Sequence, residues 1–529
     1  YDFRATAAYN DVYNDTHILN VFGGMELNGT DRSRSWFNGV GMQYDMGMLA
    51  NYDYRYFKQG NEENTAYYTV SRTKSREVSF FGTATYSYQG KYTLNGTMRY
   101  EGSNKLGRSR SARWLPTWNV SGAWNMHEES FFETLRPSLS NFTLKASYSL
   151  TADRGPANVT NSLAVIMGYN PWRPLSSVNE SGLQISDLEN SELTYEKKHE
   201  LNIGAEVGFL ENRISLAIDW YKRNNYDLIG LVSTMGVGGQ VSKLANVASM
   251  ESHGVELTLS TRNIDTRNFR WTTDFIFSNA KNKVTELNTD VNVMTMISGS
   301  GFALEGNPVR SLYSLDFQGL NEEGLPTFIN EKGEVTITDI NFQERENKSH
   351  LVYEGSTDPT ITGSFGNVFS YKGFKLNLFM TYSFGNVIRL DPVFSNSYSD
   401  LDATPKEFKN RWTVAGDENT TSVPVIADLR QNTMNAYLNK AYNAYNYSTE
   451  RIAKGDFIRM KEISLTYDFP KALVSKLRMS NLSLKIQGTN LFLLYSDKKL
   501  NGQDPEFFNS GGVAVPVPKQ FTLTLRLGI

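Results

Sequence analysis

The chain has 529 residues and a formal net charge of -3, with 40% hydrophobic, 13% aromatic and 21% charged residues and no cysteine. So small a charge supplies no basic field for nucleic acid, and the lack of cysteine excludes disulfide staples and thiolate metal sites. No run of about eighteen apolar residues occurs, so a transmembrane helix is excluded, whereas a membrane β-barrel is not.

In chain order, the strand signal comes early. Residues 1–8 set Tyr1, Phe3, Ala5 and Ala7 against Asp2, Arg4, Thr6 and Ala8, and Asn14-Asp15 supplies turn chemistry. Residues 17–29 return with Leu19, Val21, Met25 and Leu27 on one face. Residues 30–74 keep no sustained period and read as mostly loop; Trp36 and Tyr56 fall there. A clear hairpin follows. Val78, Phe80, Ala84, Tyr86 and Tyr88 oppose Ser79, Thr83, Thr85 and Ser87; Gln89-Gly90-Lys91 turns; then Tyr92, Leu94, Met98 and Tyr100 oppose Thr93, Asn95, Thr97 and Arg99. Tyrosines at both strand ends suit the aromatic girdles of a membrane barrel.

Strands over 112–124 and 141–150 flank a short helix-like connector at 128–135, and residues 152–195 form a long polar loop holding Tyr169, Trp172 and Arg173. The hairpin over 201–220 puts Leu201, Ile203, Ala205, Val207 and Phe209 outward and points Glu206 and Asp219 inward. Val255, Leu257 and Leu259 then pair with Phe269, Trp271, Phe275 and Phe277, which leaves Glu256 on the inner face. Residues 282–350 form a long connection with small strands of its own. After the pair 365–380 and another long connection, three strands end on FTLTLRLGI at 521–529. One face of that last strand is fit for lipid and the other for water. A soluble sandwich also produces such alternation, but here a segment long enough to cross a bilayer recurs along the whole chain.

Short turns alternate with long connections, the pattern of an up-and-down barrel with short periplasmic turns and long outer loops; only Gln89–Lys91 breaks the rhythm. Fifteen strands are counted. Single-chain bacterial barrels use even numbers, and residue 1 is not Met, so the expectation is part of a longer precursor and an incomplete barrel.

The stretch KGDFIRMKEISLTYDFPKALVSKL at 454–477, LSLKIQGTNLF at 482–492, YSYQGKYTLNGTMRYEGSNKLG at 86–107, KKHELNIGAEVGFLENRISLAIDWY at 197–221 and SHGVELTLSTRNIDTRNFRW at 252–271 resemble the SusC/RagA family of TonB-dependent outer-membrane transporters. The resemblance implies an all-β fold, an antiparallel 22-stranded transmembrane barrel closed by an N-terminal plug. Residues 1–529 would be the C-terminal part of that one barrel domain, without its plug and first strands. Ile529 stands where an aromatic terminus is usual. Family membership implies a Gram-negative outer membrane, lipid around the barrel, import of glycan fragments or oligopeptides, a SusD-like surface lipoprotein as lid, and TonB as energy source through the missing plug.

Candidate substrate contacts are the loop residues Trp36, Tyr56, Tyr169, Trp172 and Arg173, since aromatic faces stack on sugars or peptide side chains and Arg adds directional hydrogen bonds. Packing of the loops is the alternative reading of the same residues. Arg99, Glu206, Asp219 and Glu256 are the polar residues expected to face the lumen. The five histidines are scattered without metal-ligand spacing, Gly236, Gly238 and Gly239 lack the context of a phosphate loop, and no nucleophile meets a base, so neither a cofactor nor an enzyme is expected. A structural or adhesive barrel, or a siderophore or vitamin receptor, are the competing functions.

Overall fold

The computed structural model describes residues 1–38, 42–43, 49–50, 54–63, 68–107, 110–155, 164–169, 182–236, 241–287, 291–299, 301–399, 404–476, 478–507 and 518–528. Fifteen strands form one sheet in chain order. They are β1 (Asp2–Tyr13), β2 (His17–Phe37), β3 (Tyr68–Tyr88), β4 (Tyr92–Ser103), β5 (Trp114–Asn125), β6 (Leu139–Asp153), β7 (Glu196–Phe209) and β8 (Ile214–Ser233). There follow β9 (Ser242–Asp265), β10 (Phe269–Leu287), β11 (Ile361–Tyr371), β12 (Phe374–Phe384), β13 (Phe457–Asp468), β14 (Asn481–Ser496) and β15 (Gln520–Gly528). No pairing of β15 with β1 is present among the described residues. By packing, the chain divides into two compact units, Tyr1–Trp124 with Ala146–Leu201 and Asn224–Ser249, and Asn125–Lys145 with Asn202–Arg223 and Met250–Ile529.

These strands match the fifteen expected from alternation, but several run further. β2 and β3 stay paired from Thr30↔Ser75 out to Phe37↔Tyr68, through residues that read as loop. Polar side chains occupy both faces there, so the two-residue hydrophobic period disappears while the backbone ladder continues.

The connections alternate without exception. Short or compact links at 14–16, 89–91, 126–138, 210–213, 266–268, 372–373 and 469–480 lie at one end of the strands. Those at 38–67, 104–113, 154–195, 234–241, 288–360, 385–456 and 497–519 lie at the other. The irregular rhythm around Gln89–Lys91 resolves as its spacing requires: that turn and the connector 126–138 share one end of the strands, and the brief link 104–113 lies at the other. Left-handed residues close the tight turns, with Gln89 and Gly90 at φ 52° and 69° and Lys372 and Gly373 at 45° and 90°.

The two faces differ as alternation requires. Phe521, Leu523, Leu525 and Leu527 are 50–78% exposed, and Leu94, Met98, Val120, Ile203, Leu465 and Ile486 continue the same open apolar face. Across β3 and β4 that face pairs Phe80 with Tyr100 and Tyr88 with Tyr92, while the other pairs Thr83 with Thr97 and Thr85 with Asn95. Asn95 Nδ2 donates to Thr85 Oγ1 at 2.6 Å, a bond directly across two strands.

The connections 288–360 and 385–456 carry the largest buried core among the described residues. Val293, Met296, Ile297, Leu315, Leu325, Phe328, Leu438, Ala441, Tyr442 and Tyr445 are buried together. The small strands expected in the first connection are present: Ser311–Leu315 pairs with Leu351–Ser356, and Phe317–Leu320, Pro326–Ile329 and Val335–Thr336 form a three-stranded sheet.

Candidate functional site

Two features could meet a ligand: the polar face of the sheet and the packed outer connections. On the polar face, strand period alone puts Arg4 of β1, Glu26 of β2, Glu77 of β3 and Arg99 and Glu101 of β4 on one side, and the register brings them together. Arg99 donates to Glu26 through Nη1 at 2.9 Å and to Glu101 through Nε at 2.8 Å. Arg4 Nε lies 3.3 Å from Glu26, and Arg154 at the end of β6 reaches Glu77 and Glu101, both at 2.5 Å. Three guanidinium groups thus neutralise three carboxylates over five strands. A cavity of about 500 Å³ elsewhere lies in the outer connections, but the one beside this network, about 360 Å³, is lined by Arg4, Glu26, Glu77, Arg99 and Glu101 themselves. The geometry gives a surface that can exchange ion pairs with a charged ligand.

Of the residues expected to face the lumen, Arg99 sits inside this network. Glu206 is paired with Lys145 of the neighbouring strand. Asp219 lies against Gly204, which leaves room for its carboxylate where a larger residue would overlap it. Glu256 is exposed on β9, with no hydrogen bond or ion pair among the described residues. A further cluster escaped the sequence reading: Glu462 accepts from Ser464 at 2.8 Å and Asn377 at 3.1 Å, with Lys485 Nζ at 3.6 Å. Arg4, Glu26, Glu77 and Arg154 also escaped it. Arg4, Glu26 and Glu77 occupy the polar phase of their strands and Arg154 directly follows β6, but which ones meet depends on register, which one strand cannot show.

The loop candidates fare differently. Trp36, 52% exposed, closes β2 opposite Thr69, on the face of Glu26 and roughly 33 Å beyond it along the strand. Tyr56 belongs to the helix Tyr54–Glu62, and Tyr169 to the strand Val165–Tyr169, which pairs with Gly182–Asp187. Trp172, Arg173 and Ile529 lie outside the described residues.

The outer connections are held by buried polar groups as well as by their core. Arg451, only 4% exposed in its side chain, pairs with Glu407, donates to the Asp391 carbonyl at 3.2 Å and lies 4.8 Å over the Phe394 ring. Asn446 donates to the Phe394 carbonyl at 2.8 Å and accepts from its N–H at 3.0 Å, copying a strand partner. Arg389 donates to the Tyr313 carbonyl at 2.5 Å, and burial pushes its guanidinium down to about 10 while burial raises Glu354 nearby. Such a network fixes one arrangement of two long connections, so this region is a platform and not a set of separate tethers.

Known proteins share this architecture. The chain matches the family described as TonB dependent receptor-like, beta-barrel over residues 1–491. It is 25% identical to TonB-dependent receptor P3 of Formosa agariphila over 450 residues, covering 81% of this chain and 42% of that one. It is 24% identical to TonB-dependent receptor SusC of Bacteroides thetaiotaomicron over 495 residues, covering 88% and 44%. It therefore spans about half the length of the curated relatives it matches. Among solved structures, the RagAB peptide importer in its closed-closed state superposes with a TM-score of 0.78 at 23% identity, over all of this chain and 55% of that one. The fifteen-stranded sheet, lipid-compatible on one side and polar on the other, is thus part of a transmembrane β-barrel of a Gram-negative outer membrane, and the chain belongs to the TonB dependent receptor-like β-barrel family.

Proposed function

We propose that the chain supplies much of the wall and the outer platform of an energy-coupled importer of the SusC type, taking up a glycan fragment or an oligopeptide. In this reading the fifteen strands take their place in a 22-stranded barrel closed by a plug, which TonB opens and over which a SusD-like lipoprotein lid sits. The observation that carries it is the joint presence of a charged, water-fit sheet face and a rigid outer platform on a chain whose relatives include a receptor named SusC. A wide lumen that passes polar cargo needs a hydrated, charged wall of this kind. The polar groups Arg99, Glu206, Asp219 and Glu256 belong to that wall. Trp36, Tyr56, Tyr169, Trp172 and Arg173 remain the proposed loop contacts, and no catalytic role is assigned.

Uptake into cells by the full-length protein tests this. A labelled oligopeptide or glycan fragment should accumulate only when TonB is present, and competition between the two classes identifies the cargo. Trp172→Ala should weaken capture while the barrel still assembles. Uptake of neither class, with the protein correctly inserted, would leave the adhesive or siderophore reading.

A further inference from the structure

On the open apolar face of the sheet, the apolar phase is interrupted at one level on three neighbouring strands. β9 carries Leu257 and Leu259 and then Thr261 and Asn263, β10 carries Thr273 between Trp271 and Phe275, and β11 carries Asn367 between Phe365 and Phe369. Register sets Thr273 directly opposite Asn367 and Trp271 opposite Phe369. Thr273 lies roughly 13 Å along β10 from Phe269, where the short turn ends. At the tilt of barrel strands, about 40°, that is a depth of roughly 10 Å.

Hydrogen bonds tie these polar groups into a relay with one direction. Thr261 Oγ1 donates to Asn263 Oδ1 at 2.9 Å, Asn263 Nδ2 to Thr273 Oγ1 at 2.7 Å, and Thr273 Oγ1 to Asn367 Oδ1 at 2.8 Å. Trp271 Nε1 donates to the same Asn367 oxygen at 2.9 Å. An indole N–H can only donate, so the oxygen of Asn367 must face it and the amide nitrogen must face away. That nitrogen has no acceptor among the described residues. The relay thus ends in two N–H donors on a lipid-facing surface, polarised by the bonds behind them.

A donor without an acceptor is costly where water is scarce. At this depth the acceptors that a bilayer itself supplies are the ester carbonyl oxygens at the base of each phospholipid headgroup. We infer that Asn367 Nδ2 holds an ester carbonyl of one glycerophospholipid, in the leaflet at the short-turn end of the strands. Continuity with the apolar face argues for that occupant: Phe365, deeper in the bilayer, and Leu378, directly opposite Asn367, give its acyl chains their contact. The relay is built from amide, hydroxyl and indole groups, which suit a neutral carbonyl, whereas a phosphate would call for a cation. The inference rests on the transmembrane barrel and is independent of what the barrel imports.

The test is native mass spectrometry of the full-length protein released from nanodiscs of phosphatidylethanolamine. The lipid is either ester-linked or the diether analogue, which keeps the phosphate and lacks the carbonyls. The unaltered protein should retain the ester-linked lipid about five-fold better than the diether, the worth of one hydrogen bond, and Asn367→Leu should lose that preference. Trp271→Phe, which frees the amide to turn over, should roughly halve it. The comparison of the two lipids needs only the unaltered protein, so it decides the matter even where Asn367→Leu fails to insert. Equal retention of ester and diether lipid overturns the carbonyl site, and so does an undiminished preference in Asn367→Leu. A dimer that Asn367→Leu splits into monomers overturns it in favour of a second copy of this chain.

Discussion

Arg99 Nη1 stands 2.9 Å from Glu26 Oε2 although β3 lies between the strands that carry them. The guanidinium spans an intervening strand because arginine is long and the polar face is continuous. Both side chains are about a third exposed, so solvent screening limits the pair to about 0.5–1 kcal/mol. A double-mutant cycle of Arg99→Ala and Glu26→Ala, followed by urea unfolding in lipid, should return a coupling of that size. Strict additivity would show that the two charges do not stabilise each other.

Gly363 on β11 faces Tyr382 on β12, whose hydroxyl donates to the Ile276 carbonyl at 2.9 Å. A methyl at 363 would overlap both that hydroxyl and that carbonyl. Gly363→Ala should therefore destabilise the barrel by about 1–3 kcal/mol. At Gly96 a methyl would meet nothing within 4 Å, and Gly96→Ala should change stability by less than about 0.5 kcal/mol. Equal unfolding midpoints for the two variants would refute the tyrosine-over-glycine account.

Arg451 offers a test of the platform by itself. Removing it strands Glu407, which is 22% exposed, and uncovers the Phe394 ring. Breaking a buried pair from one side costs about 3–5 kcal/mol. For Arg451→Ala, limited proteolysis within residues 385–456 should quicken at least ten-fold, with heat-modifiable mobility of the barrel preserved. An unchanged cleavage rate would mean that the hydrophobic core alone holds the connections.

His350 gives the platform a pH response. Its ring is buried, and desolvation holds it below its ordinary value of 6.5, against the opposing pull of Glu331, Glu344 and the Asn347 backbone. The folded form keeps it neutral while the unfolded chain takes up the proton first. Its contribution is therefore complete above pH 6.5 and declines as pH falls below that value. Hydrogen exchange over residues 330–350, corrected for intrinsic rate, should be faster at pH 5.5 than at 7.5, and His350→Phe should flatten the difference.

Much of this was written in local sequence. Alternation in stretches such as Phe521–Leu527 and Tyr92–Tyr100 determined the strands, their number and which side chains share a face, because the pleat repeats every two residues whatever the neighbours are. Turn residues such as Gln89-Gly90 and Lys372-Gly373 marked where the chain reverses, since few residues tolerate positive φ. Tertiary structure alone decided that Arg4, Glu26, Arg99, Glu101 and Arg154 meet, because register across five strands is a sum of pairings that no strand contains. It also decided that residues as far apart as Val293 and Tyr445 share a core, and that the polar stretches 30–37 and 68–74 pair as strands. Burial and ladder hydrogen bonds are collective, and neither is visible in the period of one segment.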